Sequence, residues 1–203
     1  MNLLTAYQKL KGLEPFFLTK EAAIVLGVSV NYATIILSRL AKQGAIARLV
    51  KGRWAYSQSV DPLLLPSILV YPLMAYVSLY SALYYHGMIN QVPNVIFAVS
   101  QGKTKVFQTP LGKVSVHSIN SVLFTGYEVC GPRSLLIATP EKALFDTLYL
   151  IPARSNLFKR LTEIELPENF QFSLLNEWLP QVKNKSRYLL IEKSISQFTG
   201  PTH

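Results

Sequence analysis

The chain has 203 residues, half of them hydrophobic, which suffices for one large domain or two small ones with a sizeable core and excludes global disorder. A single cysteine, Cys130, excludes a disulfide framework and a multi-thiolate zinc site, and His86, His117 and His203 lack ligand-like spacing. The net charge is +9, from 20 Lys and Arg against 11 Asp and Glu, which favours a polyanionic partner.

Two segments of the sequence indicate whether the protein is secreted or inserted in a membrane. Residues 1–12 lack the long apolar core and small-residue cleavage site of a secretory signal. Residues 63–88 are apolar enough to suggest a membrane helix, but Pro66, Pro72 and eight hydroxyl-bearing side chains interrupt them. We therefore expect a cytoplasmic protein with no membrane partner, in keeping with its low cysteine content.

The first sixty residues carry a disproportionate share of the charge and predict a helix-turn-helix. They hold eight Lys or Arg and two Glu, a net charge of +6. A first helix is predicted over 3–11, and a second begins at a Thr19 cap and ends at Gly27. Ser29 is a good cap for a third helix that runs to Gln43, with Gly44 ending it.

The third helix has two distinct faces. Its core stripe is Ala33, Ile36, Leu37 and Leu40, spaced i, i+3, i+4, i+7. The opposite face suits a DNA major groove, since Asn can pair with adenine, Arg with guanine and an outward Ile with a thymine methyl. That face presents Asn31, Tyr32, Thr34, Ile35, Ser38, Arg39 and Lys42.

Two short β-prone runs follow at 46–50 and 53–56, joined through Lys51 and Gly52, and predict a basic hairpin. Such a hairpin beside the third helix can reach phosphates or the adjacent minor groove. The order predicts a winged helix-turn-helix, although an isolated pattern of this kind is often a packed αα-hairpin. The candidate DNA-binding residues are Ser29, Asn31, Tyr32, Thr34, Ser38, Arg39, Lys42, Arg48, Lys51 and Arg53.

The rest of the chain predicts a mixed domain. We expect a helix between a Ser78 cap and Gly87, with His86 at its favourable C-terminal end. Strands are predicted at 95–100, 105–109, 112–119, 124–130 and 135–138, and helices from Pro140 and over 155–166, 173–182 and 185–198. The predicted fold class is α+β, with an N-terminal winged helix-turn-helix (1–60), a linker (61–74) and a mixed α/β domain (75–203).

Motifs for catalysis are sparse. Neither a phosphate-binding glycine loop nor a GxSxG nucleophile motif occurs, and Cys130 is best explained as a small buried hydrophobe. An alternative is a metal-dependent nuclease or other DNA-modifying enzyme built on Glu128, Glu141, Lys142 and Asp146. Helix-dipole compensation at Glu141 and a surface Lys142–Asp146 pair explain these residues more simply, so we expect no enzyme, metal or cofactor.

A third possibility is a scaffold that binds a protein partner through its aromatic residues. Tyr84, Tyr85 and Trp178 could serve such an interface. Aromatic side chains more often fill cores, so this hypothesis depends on how exposed the three are.

Three sequence blocks resemble the AbiEi family of antitoxins from bacterial type IV toxin-antitoxin systems, which take part in abortive infection as a phage defence. The blocks are LTKEAA with Val28-Ser29, YVSLYSALYYHG at 76–87, and ATPEKALFD at 138–146. The second and third are the more specific, because helix-turn-helix sequences occur in many regulators. The resemblance covers nearly the whole chain.

This resemblance implies an N-terminal winged helix that binds inverted repeats in its own promoter as a repressor, and a C-terminal domain with antitoxin activity. The implied functional partner is a nucleotidyltransferase-type toxin, countered without need of a stable complex. At the positions that match the family's winged helix, the resemblance implies that the residues contacting DNA are Asn31, Tyr32, Thr34, Ser38, Arg39, Lys51 and Arg53. The other two blocks imply structural roles.

Overall fold

The computed structural model describes residues 2–13, 15–56, 61–132, 134–150 and 164–199. Its fold class is α+β, as predicted, with two sheets that are built from separate parts of the chain. The helix predicted over 155–166 falls mainly on residues outside this described part.

The N-terminal part consists of helices and a small antiparallel sheet. The helices are α1 (Leu3–Leu10), α2 (Thr19–Leu26) and α3 (Val30–Lys42), and the strands are β1 (Phe16–Leu18), β2 (Ala47–Val50) and β3 (Arg53–Ala55). The sheet order is β1-β3-β2. Strand β1 was not predicted, whereas the three helices and the β2–β3 hairpin confirm the sequence predictions.

Local chemistry fixes the turn between α2 and α3. Gly27 ends α2 in the left-handed region at φ 67°, and the Ser29 hydroxyl accepts from the Tyr32 amide at 3.3 Å at the start of α3. The predicted Thr19 cap is wrong. Thr19 is the first residue of α2, and its buried hydroxyl accepts instead from the indole N–H of Trp54 at 2.9 Å.

The second part surrounds a six-stranded mixed sheet of order β6-β7-β5-β4-β9-β8. Its strands are β4 (Ala75–Val77), β5 (Ile96–Ser100), β6 (Lys105–Thr109), β7 (Gly112–Ser118), β8 (Tyr127–Cys130) and β9 (Leu135–Ala138). The β4–β9 and β5–β7 pairs are parallel and the other neighbours antiparallel. All of these strands except β4 were predicted.

The described helices of this part are α4 (Leu65–Val70), α5 (Leu79–Tyr85), α6 (Pro140–Leu150), α7 (Phe172–Trp178) and α8 (Lys185–Thr199). Helices α4, α5 and α6 contact the sheet, and α7 and α8 pack against α6. Ser78 precedes α5 but does not cap it, because its hydroxyl donates to Asp146. His86 follows α5, and its Nε2 donates to the Ala138 carbonyl at 2.7 Å. In α8, Ile191 and Ile195 are buried, whereas Leu189 is 52% exposed.

The described residues form two hydrophobic clusters, and the hairpin belongs to both. The first joins α1, α2, α3 and the small sheet, and includes Trp54. The second surrounds the large sheet, and includes Leu49 of β2 and Ala55 of β3. Segment 61–74 contains a 3₁₀ turn and α4, and its Leu65 and Leu69 side chains are buried in the second cluster.

No single helix among the described residues has both the length and the apolar character needed to cross a bilayer. Helices α2 and α3 meet such a criterion only when taken together, and they are bent by 101° relative to each other.

A histidine in the large sheet gives a pH-dependent stability. Burial lowers the pKa of His117, whose Nε2 lies 3.1 Å from the Ser115 hydroxyl. The folded state therefore holds fewer protons than the unfolded state just below the ordinary histidine pKa of about 6.5. We expect the free energy of unfolding to fall as pH drops from 7.5 to 5.5, and His117→Gln to flatten this loss in urea titrations at each pH. An unchanged pH dependence in the variant would contradict the assignment.

Candidate nucleic-acid interface

The outer face of α3 is exposed and polar. Its core stripe, Ala33, Ile36, Leu37 and Leu40, is buried as predicted. On the opposite side the side chains of Asn31, Arg39 and Lys42 are exposed. Tyr32 and Ile35 keep 42% and 48% of their surface exposed to solvent. Ser38 and Thr34 are half-buried, and the Thr34 hydroxyl donates to the Val30 carbonyl at 2.9 Å. Ser29 is exposed, but its hydroxyl is used as the N-cap of α3. The exposed polar groups of this face thus include those of Asn31, Arg39 and Lys42.

A groove of about 660 Å³ separates the start of α3 from the β2–β3 hairpin. Asn31 and Thr34 line it on the helix side, and Arg48 and Lys51 line it on the hairpin side. Lys20, near the start of α2, also lines the groove and was not among the predicted site residues. No acidic residue is among its described lining residues, so the groove carries a positive potential suited to a phosphate backbone.

A second groove, of about 650 Å³, lies beside the other end of α3. Ser38 and Lys42 line it together with Pro110 and Leu111 from the turn between β6 and β7. Arg48 lines both grooves. Its guanidinium lies 5.6 Å from the centroid of the Trp54 ring, and this cation–π contact positions it on the hairpin. Arg48 is therefore a cation that the two grooves share.

Arg53 is placed differently from the other predicted contacts. Its guanidinium donates to the Leu69 carbonyl at 2.5 Å and to the Tyr71 carbonyl, both at the end of α4. Its two donor groups therefore point at the end of α4. Arg53 fixes the hairpin to α4, so its guanidinium is not part of the contact surface proposed for DNA.

The role of Arg53 can be tested by a conservative change. A lysine keeps the charge but presents one ammonium group in place of the planar fork that reaches two carbonyls. We expect Arg53→Lys to lower the free energy of unfolding by about 1–2 kcal/mol, as for a lost hydrogen bond to a charged donor. Lys51→Arg is the matched control, because Lys51 is exposed in the turn, and it should leave the urea midpoint unchanged. Equal midpoints for both variants would contradict the structural role.

Comparison with known proteins adds no identification: no protein-family model matches the chain, and no curated protein matches it.

The four residues of the nuclease alternative are not brought together. Lys142 and Asp146 form an ion pair at 2.5 Å, as their spacing predicts, but the pair is fully buried and not on the surface. The Glu141 carboxylate accepts from the Gln171 amide at 3.0 Å, and Glu128 is exposed on β8. Within the described ranges, no three His, Cys, Asp or Glu side chains are grouped as metal ligands.

The remaining singled-out residues divide between core and surface. Trp178 is half-buried, and its ring lies 5.5 Å from Phe145 and 5.4 Å from the Lys142 ammonium. Cys130 is half-buried, not fully buried as expected. Tyr84 and Tyr85 are 41% and 48% exposed, so they do not fill the core.

Proposed function

We propose that the N-terminal part is a winged helix-turn-helix that binds double-stranded DNA. The observation that carries this proposal is the exposed polar face of α3, bordered on its hairpin side by a groove that Lys20, Arg48 and Lys51 line. A packed αα-hairpin does not need such a face, and it does not account for a basic hairpin beside the second of its helices.

In this proposal α3 lies in the major groove and its neighbours contact phosphates. Asn31 and Arg39 can make bidentate contacts with adenine and guanine, and Ile35 can contact a thymine methyl. Lys20, Lys42, Arg48 and Lys51 flank the helix and can neutralise phosphates on either side of the groove. Base contacts supply sequence preference, and phosphate contacts supply position and salt dependence.

We further propose, from the resemblance to AbiEi antitoxins, that the protein is a cytoplasmic transcription regulator that represses its own promoter. The target is then an inverted repeat upstream of its gene. The second domain, 75–203, would counter a nucleotidyltransferase-type toxin without a stable complex. DNA binding rests on the described side chains, whereas the antitoxin role rests on the sequence blocks alone.

The test is a fluorescence-anisotropy titration of the full chain against its own upstream DNA and a scrambled duplex, without metal and at two salt concentrations. We expect a preference for the native duplex that persists at the higher salt, because base contacts lose less affinity with salt than phosphate contacts do. Equal binding of both duplexes, lost at high salt, would overturn sequence-specific regulation.

Variants on α3 test the assigned face. Asn31→Ala and Arg39→Ala should each weaken binding of the native duplex by about 1–3 kcal/mol while changing binding of the scrambled duplex less. Lys193→Ala, an exposed cation on α8 that lines neither groove, is the matched control. Unchanged discrimination in the Asn31/Arg39 double variant would show that the recognition face is elsewhere.

A further inference from the structure

A cavity of about 760 Å³ lies between the segment that follows the hairpin and α5. It is lined by the 3₁₀ turn that starts at Asp61, by α5, and by the loop that leads to β5. Its volume is typical of small-molecule sites. Neither the proposed DNA interface nor the proposed antitoxin role accounts for it.

The charge inside this cavity is opposite to that of the protein. Asp61 is the only acidic residue between Glu21 and Glu128, and it is the only charged side chain among the described residues that line the cavity. Its Oδ1 accepts from the Leu63 amide at 2.9 Å, and it forms no ion pair within the described part of the chain. A single carboxylate therefore faces an open cavity in a chain of net charge +9.

Two tyrosines line the same cavity as Asp61. Tyr84 and Tyr85 are consecutive at the end of α5 and keep 41% and 48% of their surface exposed. The neighbouring Cys130 raises the pKa of Tyr85, and the Asp61 carboxylate, which lines the same cavity, contributes in the same direction. Aromatic faces next to a carboxylate attract a cation in two ways, through the ring quadrupole and through direct charge.

We propose that this cavity binds a compact organic cation, a primary ammonium or guanidinium group attached to an apolar body. Asp61 pairs with the charge, the Tyr84 and Tyr85 rings contact its apolar neighbours, and Asn90 offers a further acceptor within the same lining. The cation can belong to a free amine or to a basic side chain of a peptide.

Calorimetric titration of the full chain tests the proposal with two matched pairs of probes. Benzylamine and benzyl alcohol differ in charge and represent a free ligand. Nα-acetyl-lysine methylamide and its Nε-acetyl derivative represent a side chain. We expect the charged member of at least one pair to bind about tenfold or more tightly than its neutral partner, and the pair that shows this identifies the source. Equal binding within both pairs, or no binding of either cation, would overturn the proposal.

Asp61→Asn is the decisive variant, because asparagine keeps the capping oxygen of the 3₁₀ turn and removes only the charge. We expect it to abolish the preference for the charged probe, whereas Glu177→Gln, an exposed carboxylate on α7 outside the cavity, leaves it intact. Tyr84→Leu should weaken binding in a protein of unchanged circular dichroism. A cation preference that survives Asp61→Asn contradicts the proposal, whatever the DNA titrations show.

Discussion

Replacing Asp146 with alanine is expected to lower the free energy of unfolding by about 3–5 kcal/mol, because the change leaves a buried ammonium group without its partner. The Lys142–Asp146 pair has no exposed side-chain surface, and its Nζ–Oδ1 distance is 2.5 Å. The Lys142 ammonium otherwise faces the rings of Phe145 and Trp178, at 5.1 and 5.4 Å, which cannot replace a carboxylate.

Asp146 is also the acceptor for two hydroxyl groups. Its Oδ2 accepts from the Tyr76 hydroxyl at 2.9 Å and from the Ser78 hydroxyl at 2.7 Å. Burial raises the pKa of Tyr76, and the Asp146 charge adds to this effect, so the phenol remains a donor at any working pH. One carboxylate thus connects α6 to β4 and to the start of α5.

Urea unfolding of the full chain measures the effect. Tyr76→Phe removes one of the donors and should cost about 1 kcal/mol, well below Asp146→Ala. The double variant Lys142→Met/Asp146→Leu should recover part of the loss, because it removes the unpaired ammonium group but leaves the Tyr76 and Ser78 hydroxyls without their acceptor. Glu192→Ala, an exposed acid on α8, is the control. A loss below about 1 kcal/mol for Asp146→Ala would show that the pair is not buried in solution.

Trp54→Ala is expected to destabilise the protein by about 3–5 kcal/mol, the usual cost of removing a large buried aromatic side chain. Trp54 is only 1% exposed and lies in the N-terminal cluster with Phe17, its strand partner. Its indole N–H donates to the Thr19 hydroxyl, and its ring makes a cation–π contact with the Arg48 guanidinium. The variant therefore also loses the support for a cation of the proposed DNA interface.

Two milder variants separate these contributions. Thr19→Val leaves the indole N–H without an acceptor and should cost about 1–3 kcal/mol. Trp54→Phe keeps much of the apolar volume and should fall between the wild type and Trp54→Ala. Thermal unfolding monitored by circular dichroism gives the order of stabilities, and a Trp54→Ala variant as stable as the wild type would contradict the packing described for the hairpin.

The sequence was most informative where local chemistry decides the structure. The turn at Gly27, the Ser29 cap and the core stripe of α3 each depend on residues within a few positions, and all three were predicted. Strands β1 and β4 were missed because each has only three residues and pairs with partners far along the chain. The apolar run 75–77 shows no alternation, since all of its side chains are buried.

The candidate site was predicted in outline, and the errors concern side-chain partners. Arg53 belongs to a basic hairpin in sequence, but its acceptors are 16 and 18 residues away, at the end of α4. The i, i+4 spacing indicated that Lys142 and Asp146 would pair, but their burial depends on Trp178 and Tyr76, which come from distant elements. Lys20 was overlooked because its proximity to the hairpin arises only when β1 pairs with β3.

The sharing of the β2–β3 hairpin between two cores limits how this chain can be divided. A fragment ending at residue 60 would expose Leu49 and Ala55 to water and leave the Arg53 guanidinium without its carbonyl acceptors. A chimera that grafts the N-terminal part onto another protein must therefore carry α4 with it. The same constraint applies to evolution: under the proposed function, new target specificity can arise by substitution on the outer face of α3, whereas exchange of the whole N-terminal part would disrupt the shared core.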